Sequence, residues 1–155
     1  MGENTEPPQL VELCPGAGPV DPIARYGEDA RHRPDGQPWM LLNMVASVDG
    51  AISVDGVSGG LGGPADKAVF RAIRAVADVI VVAAGTARAE RYRPPKTSDR
   101  VREQRRARGQ ASAPGIALLT RSLDLDLDGE LFRTPGHRPV VYTVSSAPAD
   151  RVRAT

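Results

Sequence analysis

Hydrophobic and polar positions sort the chain into a few periodic stretches divided by turn-forming residues. Trp39-Met-Leu-Leu-Asn-Met-Val-Ala46 is apolar on both faces, the pattern of a strand covered on two sides in a mainly parallel sheet. It stops at Ser47-Val48-Asp49-Gly50, Ile52 and Val54 alternate after the turn, and Asp55-Gly56 predicts a second one. After the glycine-rich Ser58-Gly-Gly-Leu-Gly-Gly63, Pro64 takes a first helical position with Asp66 in the first turn. Val69, Phe70, Ile73, Val76 and Ala77 then form one apolar stripe. Directly behind that helix, Val79-Ile-Val-Val-Ala-Ala84 is wholly apolar and ends at Gly85-Thr86, which predicts a central strand followed by a loop. Strand, helix, strand is the order of a parallel α/β sheet.

The rest of the chain is less regular. Asp99 to Gly109 predicts a short exposed helix closed by Gly109. Ile116 to Leu119 and Pro139 to Val144 read as strands, and Leu123-Asp-Leu-Asp-Leu-Asp128 alternates as a solvated edge strand does. Residues 1–38 hold seven prolines and five glycines and sustain no period, so they are expected to form an irregular arm ahead of a domain at 39–155.

Composition narrows the class. A chain of 155 residues is about one domain, with 41% hydrophobic and 25% charged residues, as a folded protein has. Aromatics are only 4% while Gly and Pro together number 30, so the core is aliphatic and the turns are many. Twenty basic residues balance nineteen acidic ones, which leaves no overall field for nucleic acid or a membrane surface. Only two of the basic residues are lysine, a bias that fits either a GC-rich genome or phosphate binding. The single cysteine, Cys14, has no intrachain partner, and the start shows no basic and apolar leader; a cytoplasmic protein is expected. The longest apolar run has six residues, against the roughly 20 that span a bilayer.

Several motifs match known chemistry incompletely. Asp124, Asp126, Asp128 and Gly129 copy the first half of a calcium loop, but Pro135 stands where its final acid belongs. No metal is expected. Gly60-Leu-Gly-Gly-Pro-Ala65 satisfies a dinucleotide fingerprint without the buried strand that should precede it. It is either a glycine loop that approaches a ligand or a plain surface turn. No lysine follows at P-loop spacing. The five arginines of residues 100–108 have no aromatic between them, which favours a solvated helix over a nucleic-acid surface. His32 and His137 have no Ser, Cys or carboxylate at a suggestive spacing.

Three polar residues interrupt the apolar strands. Asn43 lies inside the first, Asp49 just past its end, and Thr86 past the end of the next. Ligands of open α/β sheets bind outside those carboxyl ends, while a backbone-bonded buried amide would explain Asn43 and a plain turn would explain Asp49 equally well. Arg74, one residue off the helical stripe, faces water or an anion.

Asn43-Met-Val-Ala-Ser-Val-Asp-Gly50, Ser58 before its glycine loop, and Phe70-Arg-Ala-Ile-Arg-Ala-Val-Ala-Asp-Val-Ile-Val-Val-Ala-Ala-Gly-Thr86 occur in that order. Together they closely resemble the pyrimidine reductases of riboflavin biosynthesis, the carboxyl-terminal reductase domain of the bifunctional deaminase/reductase. The match runs from Trp39 to Glu90 and is weaker from Ile116 to Val144. The resemblance implies a dihydrofolate-reductase-like α/β fold, a mainly parallel sheet flanked by helices. It also implies NADPH-dependent reduction of 5-amino-6-(5-phosphoribosylamino)uracil to its ribityl form. On the substrate side it places Asn43, Ser58, Arg74 and Glu90, with Arg74 on the phosphate. On the cofactor side it places Val45, Ala46, Asp49, Gly60, Thr86, Thr120, Arg121 and Ser122. A catalytic residue is not identified, since the hydride comes from the cofactor and the protein positions it.

The chain departs from the family pattern at Asn43, where many members have lysine, and at Glu90, where many have aspartate. The second glycine-rich motif of the family, an acidic residue before paired glycines, does not occur after Val144. The expectation is therefore a truncated member, homodimeric at full length. The rival expectations are a reductase of the same fold acting on another heterocycle such as dihydrofolate, and an inactive fragment.

Overall fold

The computed structural model describes residues 8–14, 16, 18–29, 31 and 35–154, so that His32 lies outside the described residues. The chain divides into two compact units, Met1–Val76 and Ala77–Thr155.

In the first unit, β1 (Leu10–Glu12) and β2 (Gly18–Val20) form an antiparallel pair with Leu10 opposite Val20. Helix α1 (Pro22–Glu28) follows at once, its first turn capped by the Asp21 carboxylate, which accepts from Ile23 N–H at 3.0 Å. The expected irregular arm thus carries regular structure. Elements of three and seven residues are too short to display a period, and the pairing that makes the strands is set by contacts eight residues or so apart. α1 packs against α2 (Pro64–Val76), which begins at Pro64 with Asp66 in its first turn, as its sequence predicts.

The expected strand at Trp39–Ala46 is not formed. The segment pairs with no other strand among the described residues, and Met40, Leu42 and Met44 are 86%, 84% and 73% exposed. A strand exists only through a ladder partner, and the described residues of this unit supply none to a run whose composition suits burial on both faces. Asp55-Gly56 does make the expected turn. Both residues take positive φ, +51° and +80°, and Val54 and Val57 exchange hydrogen bonds of 2.9 and 3.0 Å across them, a two-residue hairpin turn with φ positive at both centres.

The second unit is a parallel three-stranded sheet. β3 (Val79–Ala83), β4 (Gly115–Leu119) and β5 (Val140–Tyr142) lie in that order, with Ile80 opposite Ile116 and Leu118 opposite Val141. One face packs Ile80, Val82, Ile116, Leu118 and Val141 with Ala87, Leu131 and Phe132, an aliphatic core with few aromatics. β4 is the central strand. The expectation that β3 is central is corrected: β3 is an edge of this sheet, with Val79 and Val81 53% and 59% exposed. An unbroken apolar run encodes cover on two faces, and within this unit only one face is covered.

The connections hold the other surprises. α3 (Ala84–Ala89) starts directly at the end of β3, where a loop was expected. α4 (Asp99–Ala107) is capped by the Ser98 hydroxyl, which accepts from Val101 N–H at 3.3 Å, and Gly109 closes it at φ +74°, as its sequence predicts. Its expected full solvation fails at two positions, Val101 and Arg105, both buried. Leu123 to Asp128 forms no strand, yet its alternation has the expected sense, since the leucines are buried or half-buried and the aspartates exposed. α5 (Glu130–Arg133) precedes β5 and α6 (Ala149–Ala154) follows it. None of the described helices is long and apolar enough to cross a membrane.

Candidate functional site

Parallel strands direct their carboxyl ends to one side of a sheet, and open α/β folds bind ligands there. In the second unit those ends are Ala83, Leu119 and Tyr142. A cleft of about 350 Å³ lies at the last two, lined by Leu119, Thr120, Arg121, Tyr142, Thr143 and Val144.

Local hydrogen bonding builds this cleft. Thr120 N–H donates to the Tyr142 carbonyl at 3.0 Å and carries the ladder one residue past β4. The Thr120 hydroxyl then accepts from Leu123 N–H at 3.0 Å, which pins a tight turn in which Leu123 takes φ +54° and is buried. Leu123 anchors the turn from inside while Arg121 and Ser122 stay exposed. The Ser122 carbonyl accepts from Arg151 of α6 at 3.1 Å. Arg121 is the one charged residue of the cleft lining, a forked cation suited to a phosphate. Tyr142 is 58% exposed and offers a ring beside it.

Thr120, Arg121 and Ser122 were expected on the cofactor side, and the first two line this cleft. Tyr142, Thr143 and Val144 complete the lining and were not foreseen. The available signal was the polar pair Tyr142-Thr143 at the carboxyl end of a strand. Thr86 lies on α3 and Glu90 caps its end. Thr86 is exposed in its first turn, and its carbonyl accepts from Glu90 N–H at 2.9 Å. Glu90 is the half-buried cap that ends the helix.

The remaining expected residues belong to the first unit. Asn43 and Ala46 are exposed and Val45 is half-buried on the extended 39–46 segment, so the buried-amide reading of Asn43 is excluded. Asp49 sits in the Ser47–Gly50 turn, where Gly50 takes φ +88° and donates to the Ser47 carbonyl at 2.9 Å. The Ser47 hydroxyl donates to the Asp49 carboxylate and accepts from Ala51 N–H at 2.9 Å. That hydroxyl, followed by the backbone N–H groups of Asp49 and Ala51, holds the Asp49 carboxyl below its ordinary range. Asp49 is thus an ionised turn brace, unsuited to delivering a proton near neutrality.

Ser58 and Gly60 bound a single 3₁₀ turn. A Cβ at Gly60 would stand 3.3 Å from Val54 Cβ, so the fold itself asks for a small residue there. A Cβ at Gly62 would lie 2.1 Å from the Asp66 carboxylate, so a side chain there would displace that carboxylate. Arg74 lies in the last turn of α2 with its guanidinium 5.1 Å from the Phe70 ring centroid. No group of three or more His, Cys, Asp or Glu residues that could hold a metal occurs among the described residues.

Comparison with known proteins bears on family and fold. The sequence pattern of the RibD C-terminal domain matches residues 38–154. The fold is similar to the crystal structure of a pyrimidine reductase-like protein from Corynebacterium diphtheriae, with 27% sequence identity and a TM-score of 0.58. The similarity covers 72% of this chain and 57% of that one. No curated protein matches.

Proposed function

The chain belongs to the RibD C-terminal domain family, and from that membership we propose that it is a pyrimidine reductase that uses NADPH to reduce 5-amino-6-(5-phosphoribosylamino)uracil to the ribityl form. The observation that carries this reading is the cleft at the carboxyl ends of β4 and β5, in which Arg121 is the only charged lining residue among the described residues. A single cation between two strand ends fits a phosphate-bearing dinucleotide better than it fits a metal or an acyl-transfer reaction.

When bound, NADPH supplies the hydride. Arg121 holds a phosphate of the cofactor and Thr120 fixes the turn that presents it. Tyr142, which lines the same cleft, would offer its ring to the cofactor. The family resemblance assigns Thr86 of the second unit, and Val45, Ala46, Asp49 and Gly60 of the first, each to cofactor binding. The same resemblance assigns Asn43, Ser58 and Arg74 of the first unit, and Glu90 of the second, to substrate binding, Arg74 to its phosphate. Asn43 contributes a neutral amide, so it orients the sugar by hydrogen bonds without adding charge.

Purified protein with NADPH and each candidate substrate tests the reading. Consumption of NADPH that depends on the aminouracil substrate is expected. Consumption with dihydrofolate alone assigns the chain to a different heterocycle, and saturable NADP binding without turnover of either reduces it to a binding module.

A further inference from the structure

Helices α3 and α4 end in the same way but with opposite residue choices. At the end of α4 the chain turns through Gly109 at φ +74°, and Gln110 N–H returns to the Arg105 carbonyl at 3.0 Å. At the end of α3 the equivalent residue is Arg91 at φ +47°, and Tyr92 N–H returns to the Ala87 carbonyl at 2.8 Å. Glycine is the unstrained choice at this left-handed position. Strain that persists in a side chain's backbone points to a function for that side chain.

Arg91 lines a cavity of about 400 Å³ within the second unit. Its apolar walls come from Leu118, Leu125, Leu131 and Phe132, a volume and lining typical of small-molecule sites. Two of its three arginines are already engaged, Arg88 with Asp124 at 3.3 Å and Arg93 with Glu130 at 2.8 Å. Of the charged residues in the lining, Arg91 and Asp126 are left without an ion pair among the described residues. Gly129 leaves the Asp126 carboxylate its present position, since a Cβ there would stand 2.7 Å from its oxygen. The cavity shares no lining residue with the cleft at Arg121.

We propose that this cavity binds a nucleoside monophosphate. Arg91 takes the phosphate through its forked guanidinium, Asp126 accepts from the ribose hydroxyls, and Tyr92 and Phe132 offer ring faces to the base. The assignment is independent of the reductase reading, because it rests on other residues and is measured by binding alone.

Isothermal titration of the full chain with AMP and UMP, and with adenosine and inorganic phosphate as partial probes, tests it. Saturable binding of a nucleoside monophosphate is expected, with each fragment at least about tenfold weaker. Arg91→Gly is expected to raise the melting temperature by relieving the left-handed position, and to weaken nucleotide binding by about tenfold or more. A variant more stable than its parent has not lost binding by unfolding. Asp126→Asn is expected to weaken AMP while leaving adenosine-free phosphate unaffected, and saturating NADP is expected to leave AMP affinity unchanged. The proposal is overturned if neither nucleotide binds, if Arg91→Gly binds as the parent does or melts lower, or if NADP displaces AMP.

Discussion

Arg105 Nη1 donates to the carbonyl oxygen of Ala77 at 2.7 Å, across 28 residues of sequence. Its Nε donates to the Ala111 carbonyl at 2.7 Å, and the residue is fully buried. One guanidinium therefore ties the end of α4 to the backbone entering β3 and to the loop leading to β4. Burial pushes its pKa down and neighbouring Asp78 offsets part of that, but an arginine stays charged regardless.

Replacing Arg105 removes two charged hydrogen bonds, to the Ala77 and Ala111 carbonyls, from a fully buried side chain. Arg105→Met is expected to lose about 3 kcal/mol of stability, a fall of about 10 °C in melting temperature. Arg106→Met, on an exposed neighbour, is expected to change it by less than about 0.5 kcal/mol. Thermal unfolding of the two variants checks both values.

Gly109 closes α4 at a φ that disfavours any side chain, with nothing within 4 Å of an added Cβ. Conformation alone sets the cost there. Gly109→Ala is expected to destabilise by about 1 kcal/mol, without altering cofactor affinity. Urea unfolding with an unchanged slope is the check.

What the sequence makes legible is what is local. The start of α2 at Pro64, the Asp55-Gly56 turn and the glycine stop of α4 each depend on residues a few positions apart, and each stands where expected. β1 and β2 could not be seen, because three-residue strands show no period and exist through pairing. The same rule works in reverse at Trp39–Ala46, where a strong strand pattern finds no partner among the described residues of its unit. Nor does an arginine-rich run reveal that Arg105 alone turns inward, since the carbonyls of Ala77 and Ala111 decide it. In the candidate site, Thr120 and Arg121 were expected from the family resemblance, just past the predicted strand Ile116–Leu119. Tyr142 was not, because its role depends on which strand lies beside β4.

Asp49 predicts a pH dependence. Its folded pKa is lowered from an ordinary 3.8, so its contribution to stability is fully present above that value and is lost as pH falls through the depressed folded one. The stability difference between the parent and Asp49→Asn should be constant from neutral pH down to about pH 5 and shrink below the carboxylate range. A difference that grows on acidification contradicts the turn-brace role. Unfolding curves across that range decide it.

Arg121 predicts a cofactor effect. Arg121→Ala is expected to raise the KM for NADPH by about tenfold while kcat changes little, because a phosphate contact binds ground and transition states alike. The penalty should diminish at high salt, as it does for an exposed cation. Steady-state kinetics at two ionic strengths measures both.

The central claim is tested most directly by NADPH carrying deuterium at its transferable position. Incubated with 5-amino-6-(5-phosphoribosylamino)uracil and the protein, it should yield a ribityl product with one deuterium on the former sugar carbon, and Arg121→Ala should slow this only at low cofactor. A product without deuterium, or label found only in tetrahydrofolate when both substrates are offered, would contradict the account.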